Sequence, residues 1–343
     1  MTKTMTRRHK ASACLAAAIS AVFILTAGAG GAYASSARVS AQSSGQPFFV
    51  YLSGPLDQPI TVAFDKGMLA AAKDLGVKVQ YGTTPNLANF VPDMSNLIKA
   101  TIARHPAGIA IGDFFPSAFD PLIKQATAAG IPVVVDNTGL DTYLSDGAIG
   151  FVGEIPAVSG TNAGKALLSA GMLHVVCVNT SPQNPVPLQR CEAAESVIKP
   201  SGGTMSVLNI PLADVTNPSA IATDVEGYLS SHKSIDGVLS VAAQATPACV
   251  TAVQKLGVSA SVKVASFDVD LGVLQGIQAG TIQFTTDQQP FLQGYYPILI
   301  LSQFVKYGLR PTAPVDTGGF IVTKSNIANY FKVNKTYPGV IGA

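Results

Sequence analysis

Tryptophan is absent from this chain of 343 residues, cysteine and histidine occur four times each, and only 12% of the residues are charged. Four cysteines are too few for the disulfide framework of a small secreted scaffold. Lys plus Arg number 22 and Asp plus Glu 20. The resulting net charge of +2 provides no basic stripe to displace counterions, so no nucleic-acid partner is expected. With 48% hydrophobic residues the chain is not a disordered or acidic tail, and its length allows one large domain or two ordinary ones. The sequence contains no G-x-G-x-x-G, no P-loop, no H-E-x-x-H, no C-x-x-C and no G-x-S-x-G. His9 falls in the extreme N-terminal stretch, His174 opens an apolar run, and His105 and His232 fall at ends of predicted helices, where the helix dipole accounts for them. No cysteine has a convincing histidine partner. Catalysis, a metal site and a cofactor are all unexpected.

The first residues read as an address. Lys3, Arg7, Arg8 and Lys10 stand without an acid, residues 11–25 are almost wholly apolar, and Ala32-Tyr33-Ala34 forms a small-x-small site before Ser35. This is the layout of a cleaved secretory signal over residues 1–34. The apolar run falls short of the roughly 20 residues of a membrane span. Residues 35–46 are Ser-rich and polar, a flexible leader, and the folded part begins near Pro47. The expected location is outside the cytoplasm, in the periplasm or cell envelope.

From there short apolar runs alternate with amphipathic stretches. Strands are predicted over 48–52, 77–81, 108–111, 131–135 and 149–152, with helices over 61–75, 92–104 and 117–129 between them. After a helix over 157–170 the rhythm restarts. Strands are predicted over 173–178, 204–209, 237–241, 262–267 and 281–285, and helices over 188–198, 218–231, 247–256, 271–279 and 290–307. Strands that are apolar on both faces belong to parallel sheets covered by helices. Two similar sets of about five strands, split near residue 154, predict an α/β fold of two doubly wound, Rossmann-like lobes. Cys177 falls on an interior strand, and Cys191 and Cys249 in the first turns of two helices; whether Cys191 and Cys249 pair is left open, with buried thiols the alternative.

In such sheets ligands sit beyond the carboxyl ends of the strands. Asp268 follows strand 262–267, where a carboxylate can accept hydroxyl hydrogen bonds or cap the next helix. Arg190 opens the helix after strand 173–178; it can aim a planar donor fork at ligand oxygens or stand exposed on its helix. Asp136-Asn137 follows strand 131–135, and Asp287-Gln288-Gln289 follows strand 281–285. All four places fall on one edge of the two sheets.

The run 286–295, Thr-Asp-Gln-Gln-Pro-Phe-Leu-Gln-Gly-Tyr, resembles the D-Q-x-P-x-x-x-G crossover of type I periplasmic binding proteins, the ribose- and galactose-like solute receptors of ABC importers. Pro59 with Gly67 eight residues later, Ile131-Pro132-Val133 before an acid, Gly153-Glu154 before a helix and Phe267-Asp268 fit the same family in order. The resemblance spans about residues 47–332. It implies two lobes joined by three crossovers, with hinge strands near 152–155, 285–289 and 310–318. The implied lobes are 47–153 plus 288–312 and 154–287 plus 313–335, closing over a small polar solute for delivery to ABC permease subunits; the protein would be a monomer. It further implies that Asp268, Arg190 and Gln288 match the family's acid, arginine and crossover glutamine, and that Gln58 matches a ligand-contacting position. The family's acid after the third strand is one residue further from the proline than Asp136, so either Asp136 or Asn137 takes that role.

The departures concern the ligand. Ile60-Thr61 stand where ribose-type receptors often carry two aromatics, and Ala242-Ala243 where they usually carry Asn-Asp. Phe114, Phe115 and Tyr51 could rebuild an apolar wall. A sugar is the leading ligand class, with a less hydroxylated molecule as the alternative. Two other roles share the fold. A sensory receptor serving a membrane kinase is compatible with the sequence; a transcription regulator would need an N-terminal helix-turn-helix in place of the signal and leader.

Overall fold

The structure, a computed structural model, describes residues 45–343 apart from 86 and 88. The expected signal at 1–34 and most of the leader lie outside the described residues. The first half runs β1 (Phe48–Leu52), α1 (Pro59–Leu75), β2 (Lys78–Gly82), α2 (Phe90–Ala103), β3 (Gly108–Gly112), α3 (Pro116–Ala128), β4 (Val133–Asp136) and β5 (Gly150–Gly153). The second continues with α4 (Pro156–Ala170), β6 (His174–Asn179), α5 (Pro185–Ile198), β7 (Thr204–Asn209), α6 (Pro218–Ser231), β8 (Gly237–Ser240), α7 (Thr246–Lys255), β9 (Lys263–Phe267), α8 (Leu271–Ala279) and β10 (Thr285–Asp287). The closing elements are α9 (Pro290–Tyr307), β11 (Val315–Asp316), β12 (Phe320–Val322) and α10 (Ile327–Thr336).

Helix boundaries follow local chemistry. Proline opens α1, α3, α4, α5, α6 and α9, where its missing N–H costs nothing and its fixed φ suits the first turn. Asn184, Asn217 and Asp270 accept backbone N–H bonds as caps of α5, α6 and α8. Gly76, Gly171, Gly280 and Gly308 terminate α1, α4, α8 and α9 in the left-handed conformation.

Two six-stranded sheets result, in the orders β11-β5-β4-β3-β1-β2 and β12-β10-β9-β8-β6-β7. Every ladder is parallel except β10 with β12. Strand alternation divides each core. In the first sheet Val50, Ile109 and Val133 pack under α2 and α3, while Phe49, Tyr51 and Val134 pack under α1 and α9. In the second, Val176 and Val238 meet α6 and α7, while Val175, Cys177 and Leu239 meet α4 and α5. Strand order reverses between β1 and β3, and between β6 and β8, which opens a crevice at the carboxyl end of each sheet.

Three differences from the sequence reading have local causes. Cys191 pairs with Cys177, and Cys249 is a buried free thiol. Cys191 and Cys177 share the α4/α5 face of the second sheet, whereas Cys249 lies on the α6/α7 face, so the sheet separates it from Cys191. The strand predicted over 281–285 begins only at Thr285, because Thr281 and Ile282 donate to Gly276 O and close the end of α8. Val315 pairs with Val152, which joins residues 315–316 to the first sheet rather than to the second half. The chain therefore passes between the sheets after Gly153, after Asp287 and after Asp316.

Candidate functional site

A cleft of about 350 Å³ lies where the carboxyl ends of the two sheets meet. Gln58, Phe114, Asn137, Arg190, Asp268 and Gln288 all line it, and Asp136 does not. Alternation along β4 explains the difference. Val134 faces α1 and α9, and Asp136 follows it to that side, where its carboxylate accepts a hydrogen bond from the Tyr51 hydroxyl. Burial pushes the Asp136 carboxyl up to about 8, with the Tyr51 bond opposing the shift. Asn137 then takes a left-handed φ of 59° and meets the cleft instead. Asn137 therefore lines the cleft and Asp136 sits behind it.

Asp268 and Gln289 share that backbone feature, with φ values of 67° and 51°. Three of the four described non-glycine residues in this region, all but His105, therefore stand at the ends of β4, β9 and β10. Such conformations persist where surrounding structure holds them, and here a chain of hydrogen bonds does so. Asn137 Nδ2 donates to Gln288 Oε1 at 2.8 Å and to Gln293 Oε1 at 2.9 Å. Gln288 Nε2 donates to Asp268 Oδ1 at 2.5 Å. The Arg190 guanidinium lies 3.7 Å from that same oxygen, donates through NH1 to Val241 O at 3.1 Å, and donates through Nε to Glu154. Its plane also covers the Phe267 ring, 4.8 Å from the centroid. The network links the end of β4, the β10–α9 crossing, the end of β9, α5 and the β5–α4 crossing.

Arg190 is only 5% exposed and Glu154 only 1%. Burial raises the Asp268 carboxyl, while the facing guanidinium and Gln288 pull it back. Gln58, beside Pro59 at the start of α1, reaches the cleft with its amide bonded to Asp57 at 3.2 Å. Phe114 folds over Gly112, where an added Cβ would lie 2.6 Å from its ring, and meets Phe90 edge-on at 6.0 Å.

Sequence reading assigned no role to Gln293 or Thr317, and it noted Glu154 only as part of a motif. Gln293 is fully buried on α9 and donates to Gln288 O and to Thr317 Oγ1. A glutamine on the apolar face of the longest helix was the available signal. Glu154 offered one too, as an acid following an apolar strand. Thr317 had none, because its placement depends on the two-residue β11.

The observed sheet order, the cleft at the topological switch and the crossings bear directly on ancestry. A family model described as a periplasmic binding protein domain matches residues 38–308. The chain belongs to the periplasmic binding protein family. Among curated relatives, the xylose/arabinose-binding protein XylF of Sulfolobus acidocaldarius is 26% identical over 311 residues, covering 83% of this chain and 73% of that protein. The ABC transporter periplasmic-binding protein YphF of Escherichia coli is 25% identical over 226 residues, covering 62% of this chain and 66% of that protein. A carbohydrate transporter structure from Acidothermus cellulolyticus, in complex with myo-inositol, superposes with a TM-score of 0.76 at 29% identity. That match covers 86% of this chain and 100% of the other. The glucose-galactose binding protein GanP of Geobacillus stearothermophilus shares the fold with a TM-score of 0.75 at 21% identity, covering 82% and 99%. Relatives of this periplasmic binding protein are substrate-binding transport proteins, not enzymes. No helix among the described residues is long and apolar enough to cross a membrane.

Proposed function

We propose that the chain is the exported substrate-binding protein of an ABC importer. It takes a small polar solute, a sugar or sugar-like molecule, between two lobes that close upon it. The observation that carries this reading is the convergence of Asn137, Arg190, Asp268 and Gln288 in one cleft, joined by hydrogen bonds and one ion pair that run from one sheet to the other. Arg190 and Asp268 offer the donors and the acceptor that a pair of ligand hydroxyls requires, while Gln58 and Phe114 face the cleft from the first half.

The lobes are residues 47–153 plus 288–316 and residues 154–287 plus 317–335, and the three crossings between the sheets act as the hinge. The protein works as a monomer, released from its 1–34 signal into the periplasm or cell envelope, and the closed form docks on the permease subunits. The names of the relatives, among them proteins for xylose and arabinose and a structure holding myo-inositol, favour a sugar or polyol over other polar solutes.

The test is a thermal-shift screen against monosaccharides and polyols, followed by calorimetry. A ligand present at a thousand times its dissociation constant raises stability by about 4 kcal/mol, a readily visible shift in melting temperature. A shift with one or a few sugars or polyols is the expected result. A response confined to amino acids or other non-carbohydrate solutes would refute the ligand class.

A further inference from the structure

The charge and polarity of the cleft constrain its ligand beyond the word sugar. Of the described side chains lining it, only Arg190 and Asp268 are charged. The Arg190 cation is already matched: Glu154 receives its Nε hydrogen, Asp268 Oδ1 lies 3.7 Å from NH2, and Val241 O accepts from NH1. Two carboxylates therefore stand against one guanidinium. A ligand carboxylate or phosphate would enter a place where negative charge is in excess.

Part of the polar lining is joined into one network. Arg190, Asp268, Asn137 and Gln288 form one connected group, and the contacts of Asp268 with Arg190 and Gln288 both fall on Oδ1, which leaves Oδ2 to accept from a ligand. The rest of the lining carries further polar side chains, among them Gln58, Asn89, Thr180, Asn184 and Gln244, beside a continuous share of hydrocarbon. Ile60, Phe90 and Phe114 come from the first half; Pro187, Val215 and Ala242 come from the second. Phe114 is held by Phe90 and by the bare Gly112 backbone, so this surface is preformed. A hydroxyl driven against it loses water without gaining a partner.

We infer that the cleft selects an uncharged sugar derivative with one hydrocarbon end, a deoxy or alkyl- or aryl-substituted sugar, whose hydroxyls meet the Arg190–Asp268–Asn137 group and whose apolar end meets Phe114. This inference rests on the sugar-binding reading above. Calorimetry on the protein would compare parent hexoses with their 6-deoxy forms, their methyl and phenyl glycosides, and the matching uronic acids. At least one derivative is expected to bind about tenfold or more tightly than its parent hexose, and uronic acids are expected not to bind. Phe114→Ser, and the milder Phe114→Leu should the first fold poorly, should reduce that advantage; an unliganded melt checks that each variant is folded. A parent hexose binding as tightly as every derivative, or a uronic acid binding comparably, would overturn the inference and leave the sugar reading intact. Binding by no sugar and no derivative would overturn both.

Discussion

Arg190 owes its position to burial as much as to charge. A guanidinium that is nearly inaccessible and held by Glu154, Asp268, a backbone carbonyl and an aromatic face cannot swing away to solvent. Charge-assisted hydrogen bonds contribute about 1.5–3 kcal/mol each. Arg190→Ala and Asp268→Ala should therefore each weaken binding of the sugar found in the screen by about tenfold or more, read by calorimetry. Asp136→Asn serves as the contrast: Asp136 lies behind the cleft on Tyr51, so affinity should stay within about threefold of the parent protein. Equal affinity across all three variants would remove the cleft assignment. Glu154→Gln separates positioning from contact. It leaves the ligand-facing groups in place but removes the carboxylate that orients the arginine, so it should lower both affinity and melting temperature.

At the scale of elements, close approach and cross-linking carry the stability arguments. α1 and α9 pack through Gly67 and Gly294; a Cβ added at Gly67 would lie 2.0 Å from Phe291 O, and one at Gly294 would lie 1.9 Å from Phe64 O. Backbone cannot yield to that overlap without separating the helices. Gly67→Ala or Gly294→Ala should thus cost about 2 kcal/mol or more in urea denaturation, although alanine favours helices elsewhere. The Cys177–Cys191 bond ties β6 to α5 across a separation of 14 residues. Loops of that size imply a loss of about 3 kcal/mol in the reduced chain, so Cys177→Ser with Cys191→Ser should shift the denaturation midpoint accordingly. Most elements were legible in the sequence, because proline starts, glycine stops and strands apolar on both faces are local signals; β1, β7, α6, α8 and α9 have the predicted bounds. The two- and three-residue strands β11 and β12 were not, since their identity comes from pairing with β5 and β10 rather than from any periodicity. The same limit hid the disulfide. That α5 folds back over β6, on the face away from Cys249, is a fact of packing. For the candidate cleft, residues at strand ends could be named from order alone, whereas the side to which Asp136 and Asn137 turn depended on a backbone angle.

Across the whole molecule, buried acids set how stability responds to pH. Asp113, at the end of β3, is buried, and burial with the neighbouring Asp120 and Asp146 pushes its carboxyl up to about 8, against the bond from Thr142; Lys124 pairs with Asp146 beside it. Asp136 is pushed to about 8 by burial beneath α9. In the unfolded chain both return to an ordinary value of 3.8. Between those limits the folded protein holds more protons than the unfolded one, so unfolding free energy falls as pH rises, by up to about 1.4 kcal/mol per pH unit for each group. The stabilisation is complete below the unfolded value and is lost as pH climbs through the folded one. Denaturant unfolding measured from pH 5 to 9 should therefore show stability decreasing toward the alkaline end and levelling above pH 8. Asp113→Asn, which keeps the neutral form of the side chain at every pH, should flatten the curve and make the protein relatively more stable at pH 9. A parent curve that is flat or rises over this range would mean that both carboxylates are ionised in the folded state. For a protein proposed to work outside the cytoplasm, where pH is less closely buffered, the direction of this slope matters: mild acid should tighten the fold around Asp113 and Asp136, neither of which lines the cleft.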